Sequence, residues 1–79
     1  MSNIDIMAVK ATKPQSWTQL RDGKLVSFWV PMMLVPGYRD PIAIAKGGKM
    51  LECDTYQEAS DLATELVAQL QAEAQEAQP

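Results

Sequence analysis

The strongest local instruction in this chain is the run L-R-D-G-K-L from Leu20 to Leu25. Asp-Gly tolerates the positive φ that a type I′ turn demands at both central positions, so Asp22-Gly23 predicts a tight two-residue hairpin. A tight turn also fixes register: Gln19 pairs with Val26 and Trp17 with Phe28. Trp17, Val26, Phe28 and Val30 then share one face, and Leu20, Leu25 and Trp29 the other. Pro31 lacks a ladder donor, which predicts that the second strand ends there or lies at an edge.

A second turn signal, Gly47-Gly48, sits between I-A-I-A-K and K-M-L-E-C. Pairing Lys46 with Lys49 places Ile44 opposite Leu51 and Ile42 opposite Cys53, an apolar face with Ala43, Ala45, Met50 and Glu52 turned away. Before these hairpins, the branched residues of Ile4–Val9 read as a first strand, with 10–14 as a connector broken by Pro14. Between the hairpins, residues 32–40 read as a loop around Pro36-Gly37, closed by Asp40-Pro41.

The C-terminal element begins at a capping box, Thr55-Tyr56-Gln57-Glu58. There the Thr55 hydroxyl accepts from the Glu58 amide and the Glu58 carboxylate accepts from the Thr55 amide. Ala59, Leu62, Ala63, Leu66, Val67 and Leu70 then recur at three- and four-residue steps, one apolar stripe of a helix. Beyond Leu70 the tail has no large apolar residue, and its acids oppose the helix dipole, so it is expected to fray. At 79 residues the chain supports one small core. The expected fold is α+β: a mostly antiparallel sheet of four to five strands with one amphipathic helix on one face. Residues 1–70 form the single domain and 71–79 the frayed acidic, Gln-Ala tail.

Charge is divided along the chain. All seven basic side chains fall in residues 1–50 and seven of the ten acids in residues 51–79, within a net charge of −3. There is no histidine and one cysteine. Nucleophilic catalysis would lack its usual base and a metal its usual ligands, so no enzyme activity, cofactor, metal or small-molecule substrate is expected. Cys53 has no partner for a disulfide, the first ten residues lack the basic flank and apolar stretch of a secretion signal, and the longest apolar run, Phe28–Pro36, is far short of the roughly 20 residues that span a bilayer. A cytoplasmic protein without membrane contact is expected.

The order F-W-V-P, then P-G, then D-T-Y-Q-E-A-S-D-L-A resembles the small antitoxin domains of the HicB type. It departs from them by interposing the Ile42–Cys53 hairpin, and the resemblance transfers no site residue. The chain has a similar likeness to three-stranded DNA-binding domains backed by one helix, such as the arm-binding domains of integrases.

One helix covers one face of a small sheet, so Trp29, Met32, Met33, Leu34 and Val35 exceed what it can shield. Either this segment folds over the core or another polypeptide covers it. The favoured expectation is a non-catalytic protein-binding module, a homodimer or a partner of a larger protein. It would act as a small regulator or inhibitor that occludes a surface, such as one on a nucleic-acid-handling machine. The contact residues would be Trp29, Met32, Met33 and Tyr38, with Glu58, Asp61 and Glu65 as an acidic face. The alternative is a nucleic-acid-binding module that uses the basic hairpin residues Arg21, Lys24, Lys46 and Lys49.

Overall fold

A computed structural model describes residues 5–76. Its elements are a 3-10 turn at Ile6–Ala8, strands β1 (Lys10–Arg21), β2 (Lys24–Leu34), β3 (Ile42–Ala43), β4 (Ala45–Lys46) and β5 (Lys49–Met50), and helix α1 (Tyr56–Glu76). The fold is α+β. One antiparallel sheet has the order β1-β2-β3, and β4-β5 forms a separate two-stranded ribbon.

The first hairpin forms around Asp22 (φ 49°) and Gly23 (φ 77°), with Gln19 opposite Val26 and Trp17 opposite Phe28. The expected strand at Ile4–Val9 is not present within the described residues, and Ile4 lies outside them. Asp5 instead accepts from the Met7 amide through its side chain and from the Ala8 amide through its carbonyl, which tightens the chain into the 3-10 turn. Residues 10–14 are no connector: β1 begins at Lys10 and passes through Pro14 by means of a register irregularity between Thr12 and Gln15.

Pro31 does not end β2, which continues to Leu34 and so takes Met32–Leu34 out of the expected loop. The reason is the phase of the ladder. Trp29 exchanges both backbone bonds with Cys53 at 2.8 Å, so odd-numbered residues of β2 turn their backbone groups away from β1. Pro31 therefore has its missing N–H on that outer side, where only its carbonyl is used, accepting from Ile44 at 3.0 Å.

The same outer side explains the second correction. Lys46 pairs with Lys49 around Gly47-Gly48 as expected, but the ladder stops at Ala45–Met50. Ile42 pairs with Met33 and Cys53 with Trp29, so the two never face each other. Ile42–Ile44 and Cys53 occupy one strand position beside β2, and residues 45–52 leave it as an excursion. That excursion covers the sheet face opposite the helix. Met50 packs with Ala43, Trp17 and Val26 around buried Phe28, Val30 and Met32, while Ile44 and Leu51 join the other cluster.

On the helix face, Val9, Val35 and Ile44 pack against Ala63 and Val67. Ala59 and Ala63 are wholly buried, so the absence of bulk at the centre of the stripe lets the helix lie close to the sheet. The capping box forms with one change: the Glu58 amide donates to the Thr55 hydroxyl at 3.1 Å, but the Glu58 carboxylate accepts from the Asp54 amide, not that of Thr55. The helix does not stop at Leu70. It continues to Glu76, because the Gln71 amide group donates to the carbonyls of Val9 (2.9 Å), Ile6 (3.2 Å) and Met7 (3.3 Å) and so ties the last turns to the start of the chain. Residues 77–79 of the expected tail lie outside the described residues. No helix among those described is long and apolar enough to cross a membrane.

Candidate functional site

The molecule extends 51 × 23 × 21 Å with a radius of gyration of 14.2 Å, above the roughly 12 Å of a compact domain this long. The excess comes from the β1-β2 ribbon. Helix α1 starts where Tyr56 stands edge-on against Trp29, with ring centroids 5.3 Å apart, and runs back toward Val9. Residues 17–28 lie beyond that start. At the tip Leu20 and Leu25 are 71% and 76% exposed, beside a hydroxyl pair, Thr18 and Ser27, at 3.0 Å.

A groove of about 290 Å³ opens between α1 and the edge strand. Met33, Ile44, Leu66 and Leu70 supply its apolar lining, and Lys46, Gln69 and Glu73 its polar groups. Helical spacing explains the arrangement. Leu62, Leu66 and Leu70 form one i, i+4 row, half-buried against the sheet, and Asp61, Glu65, Gln69 and Glu73 form the adjacent exposed row. Asp61 accepts from Gln57 at 2.8 Å and Glu65 from Gln69 at 3.4 Å, so neutral amides hold these carboxylates and leave their charge uncompensated.

The expected contact residues divide. Met32, only 3% exposed, belongs to the core beneath the excursion and is not a contact surface of the folded chain. Trp29 is half-buried under Tyr56. Met33 reaches the groove, Tyr38 is exposed beside the Pro36-Gly37 turn, and Glu58, Asp61 and Glu65 lie exposed on α1. Sequence reasoning placed Ile44, Leu66 and Leu70 in the core and missed Glu73. The unbroken i, i+4 row from Asp61 to Glu73 was the signal available for it.

The four basic residues occupy two hairpin tips. Arg21 lies over the Phe28 ring, 5.2 Å from its centroid, and donates to both carboxylate oxygens of Glu52, one at 2.9 Å. This hydrogen bond, with the attraction of opposite charges, raises the Arg21 pKa and lowers that of Glu52. Lys24 is the other base at the first tip. Lys46 borders the groove that Glu73 also lines, and Lys49 faces Lys46 across the second turn.

Cys53 is buried and unpaired. Desolvation by burial, with the charges of Glu58 and Asp54, pushes its thiol pKa up, the opposite of what a reactive thiolate needs. No cluster of three or more metal-ligating side chains occurs among the described residues. No protein-family model matches the chain, and no curated protein or solved structure matches it.

Proposed function

We propose that the chain is a non-catalytic protein-binding module, a small regulator or inhibitor that occupies a surface of a larger protein, and that its ligand is an amphipathic basic segment seated in the groove beside α1. The observation that carries this reading is the pairing of two parallel rows on one helix: leucines that reach the groove, and carboxylates of which Asp61 and Glu65 are held by neutral amides. An incoming helix with apolar anchors at i, i+3, i+4 and i+7 would place them among Met33, Ile44, Leu66 and Leu70. Lysine or arginine on its flank would meet Asp61, Glu65 and Glu73, which favours fast, salt-sensitive association.

Fluorescence anisotropy with two labelled peptides tests the proposal, one a Leu/Lys amphipathic helix and the other the same helix with Glu for Lys. The basic peptide should bind, weaken as salt rises, and lose at least tenfold in affinity with Leu66→Ser/Leu70→Ser while that variant stays folded by circular dichroism. Equal affinity of both peptides, or an unchanged affinity of the double variant, would overturn the reading. The nucleic-acid alternative has less support, because Glu52 already engages Arg21 and Lys46 shares its groove with Glu73. A DNA duplex in the same assay, bound tightly and released by Arg21→Gln/Lys24→Gln/Lys46→Gln/Lys49→Gln, would put that alternative in its place.

A further inference from the structure

We infer that the free edge of β1 is a homodimer interface, in which a second copy of this chain pairs antiparallel across Thr18. This surface is separate from the groove and does not depend on what the groove binds. Among the described residues β1 is an edge strand, hydrogen-bonded to β2 on one side only. Cross-strand pairs alternate between those that exchange backbone bonds and those that do not. Trp29 gives both its backbone groups to Cys53 on the outer side, so Ser16–Trp29 is a non-exchanging pair. Steps of two place Thr18–Ser27 and Leu20–Leu25 in the same class. The N–H and C=O groups of Ser16, Thr18 and Leu20 therefore point away from β2, along an open edge of the sort that templates strand addition.

A two-fold axis at Thr18 matches these groups with themselves. Ser16 meets Leu20 of the second copy, Thr18 meets Thr18, and Leu20 meets Ser16, so all three outward residues are paired. Pro14, with no donor, ends the match on one side. Asp22 of one copy then comes level with Pro14 of the other and next to its exposed Lys13, a favourable pair of charges repeated twice by symmetry. The side chains of Ser16, Thr18 and Leu20 lie on the helix face. Leu20 would rest beside Ser16 of the second copy, whose own cross-strand neighbour is Trp29, under a Tyr56 ring that is 43% exposed. The interface would thus cover the leucine tip of each copy with the start of the other's helix, and the small Ser16 side chain leaves room for that contact. A partner of another sequence would have no reason to satisfy the strand register, the Lys13–Asp22 pairing and the leucine contact together.

Light scattering on the eluting protein, from low micromolar to millimolar chain concentration, should give twice the 8.7 kDa chain mass at the upper end. Thr18→Pro removes one outward donor while leaving the β1-β2 ladder bonds intact, and should leave only monomer. Should that variant fail to fold, cross-linking decides. In a Cys53→Ala background, Thr18→Cys should oxidise to a covalent dimer, because bonded antiparallel pairs have Cα atoms about 5.5 Å apart, within disulfide reach. Leu25→Cys, on the other edge of the ribbon, should not. A wild-type monomer at millimolar concentration, a dimer untouched by Thr18→Pro, or Leu25→Cys cross-linking as readily as Thr18→Cys would overturn the inference. A monomer that still captures the basic peptide would remove the dimer and leave the proposed function standing.

Discussion

Met32 separates two accounts of the middle of the chain, and truncating it to alanine gives them different outcomes. In the structure its side chain is 3% exposed and packs with Phe28 and Val30 beneath Ala43 and Met50. Removing three heavy atoms from such a site costs roughly 2–5 kcal/mol, the lost transfer free energy plus the cavity that remains. A domain of 79 residues has a total stability of about 4–12 kcal/mol, at roughly 0.05–0.15 kcal/mol per residue. A mid-range loss of about 3 kcal/mol is thus a large fraction of the whole. It lowers the melting temperature by about 12–24 °C, at roughly 4–8 °C per kcal/mol for a domain of this size. Thermal melts followed by circular dichroism at one fixed low micromolar concentration measure the shift. The fluorescence of Trp17, half-buried in the same cluster, should report the transition at the same temperature. Leu25→Ala provides the contrast: at 76% exposed it should melt with the wild type. If Met32→Ala also melts with the wild type, the face beneath the excursion is open to solvent and the packing described above is wrong.

Two further perturbations probe the ends of the fold. Gln71→Ala removes the donor shared by the Ile6, Met7 and Val9 carbonyls and should cost roughly 1–2 kcal/mol, because the partly buried Val9 carbonyl loses its side-chain donor. Hydrogen exchange of the Val9 amide, which donates to Ile6, should accelerate, and unchanged exchange would show that the contact anchors nothing. Glu52→Gln tests the exposed ion pair through pH. The folded Glu52 carboxyl titrates below its ordinary value of 4.5, so its contribution is fully present above that value and disappears as the pH falls through the lowered one. Arg21, its pKa raised further by the Glu52 hydrogen bond, stays charged throughout that range. The variant should therefore lose less stability than the wild type between neutral pH and pH 3 in urea titrations. Equal losses would assign the acid sensitivity to other carboxylates.

The parts of the fold legible in the sequence are those fixed by near neighbours. The Asp22-Gly23 turn dictates its own register, the Gly47-Gly48 turn pairs Lys46 with Lys49, and Thr55 and Glu58 start the helix because capping needs only four consecutive residues. Competition between distant segments decides the rest. Ile42 and Cys53 could have extended the second hairpin, but Met33 and Trp29 offer each of them a longer sheet to join. Pro14 and Pro31 read as strand breakers because a sequence does not say which side of the ladder lacks the donor. Pro31 is harmless where it stands, since its neighbour asks only for a carbonyl. Gln71 looked like part of a fraying tail, and its role depends on a chain start more than sixty residues away.

The groove and the ribbon edge share an origin in that competition. A sheet with apolar residues on both faces and a single helix needs a second cover, from within the chain or from another polypeptide. The interrupted edge strand supplies it from within: residues 45–52 leave the sheet and lay Met50 over Phe28, Val30 and Met32. Using those residues as a cover has two consequences. The third strand reaches only as far as Cys53, so the ribbon from Trp17 to Phe28 is left with bare edges and exposed leucines at its tip. Beside the helix, the chain departs from the sheet after Ile44, and the groove lies between Ala45 and Lys46 on one side and the leucine row of α1 on the other. Met32 is therefore withdrawn from contact by the same rearrangement that leaves Leu20 and Leu25 exposed and Leu66 and Leu70 half-buried along the groove. Filling the groove from within, for example with Ala45→Leu, should weaken capture of the basic peptide and leave self-pairing across Thr18 unchanged, because the two surfaces lie at opposite ends of the helix.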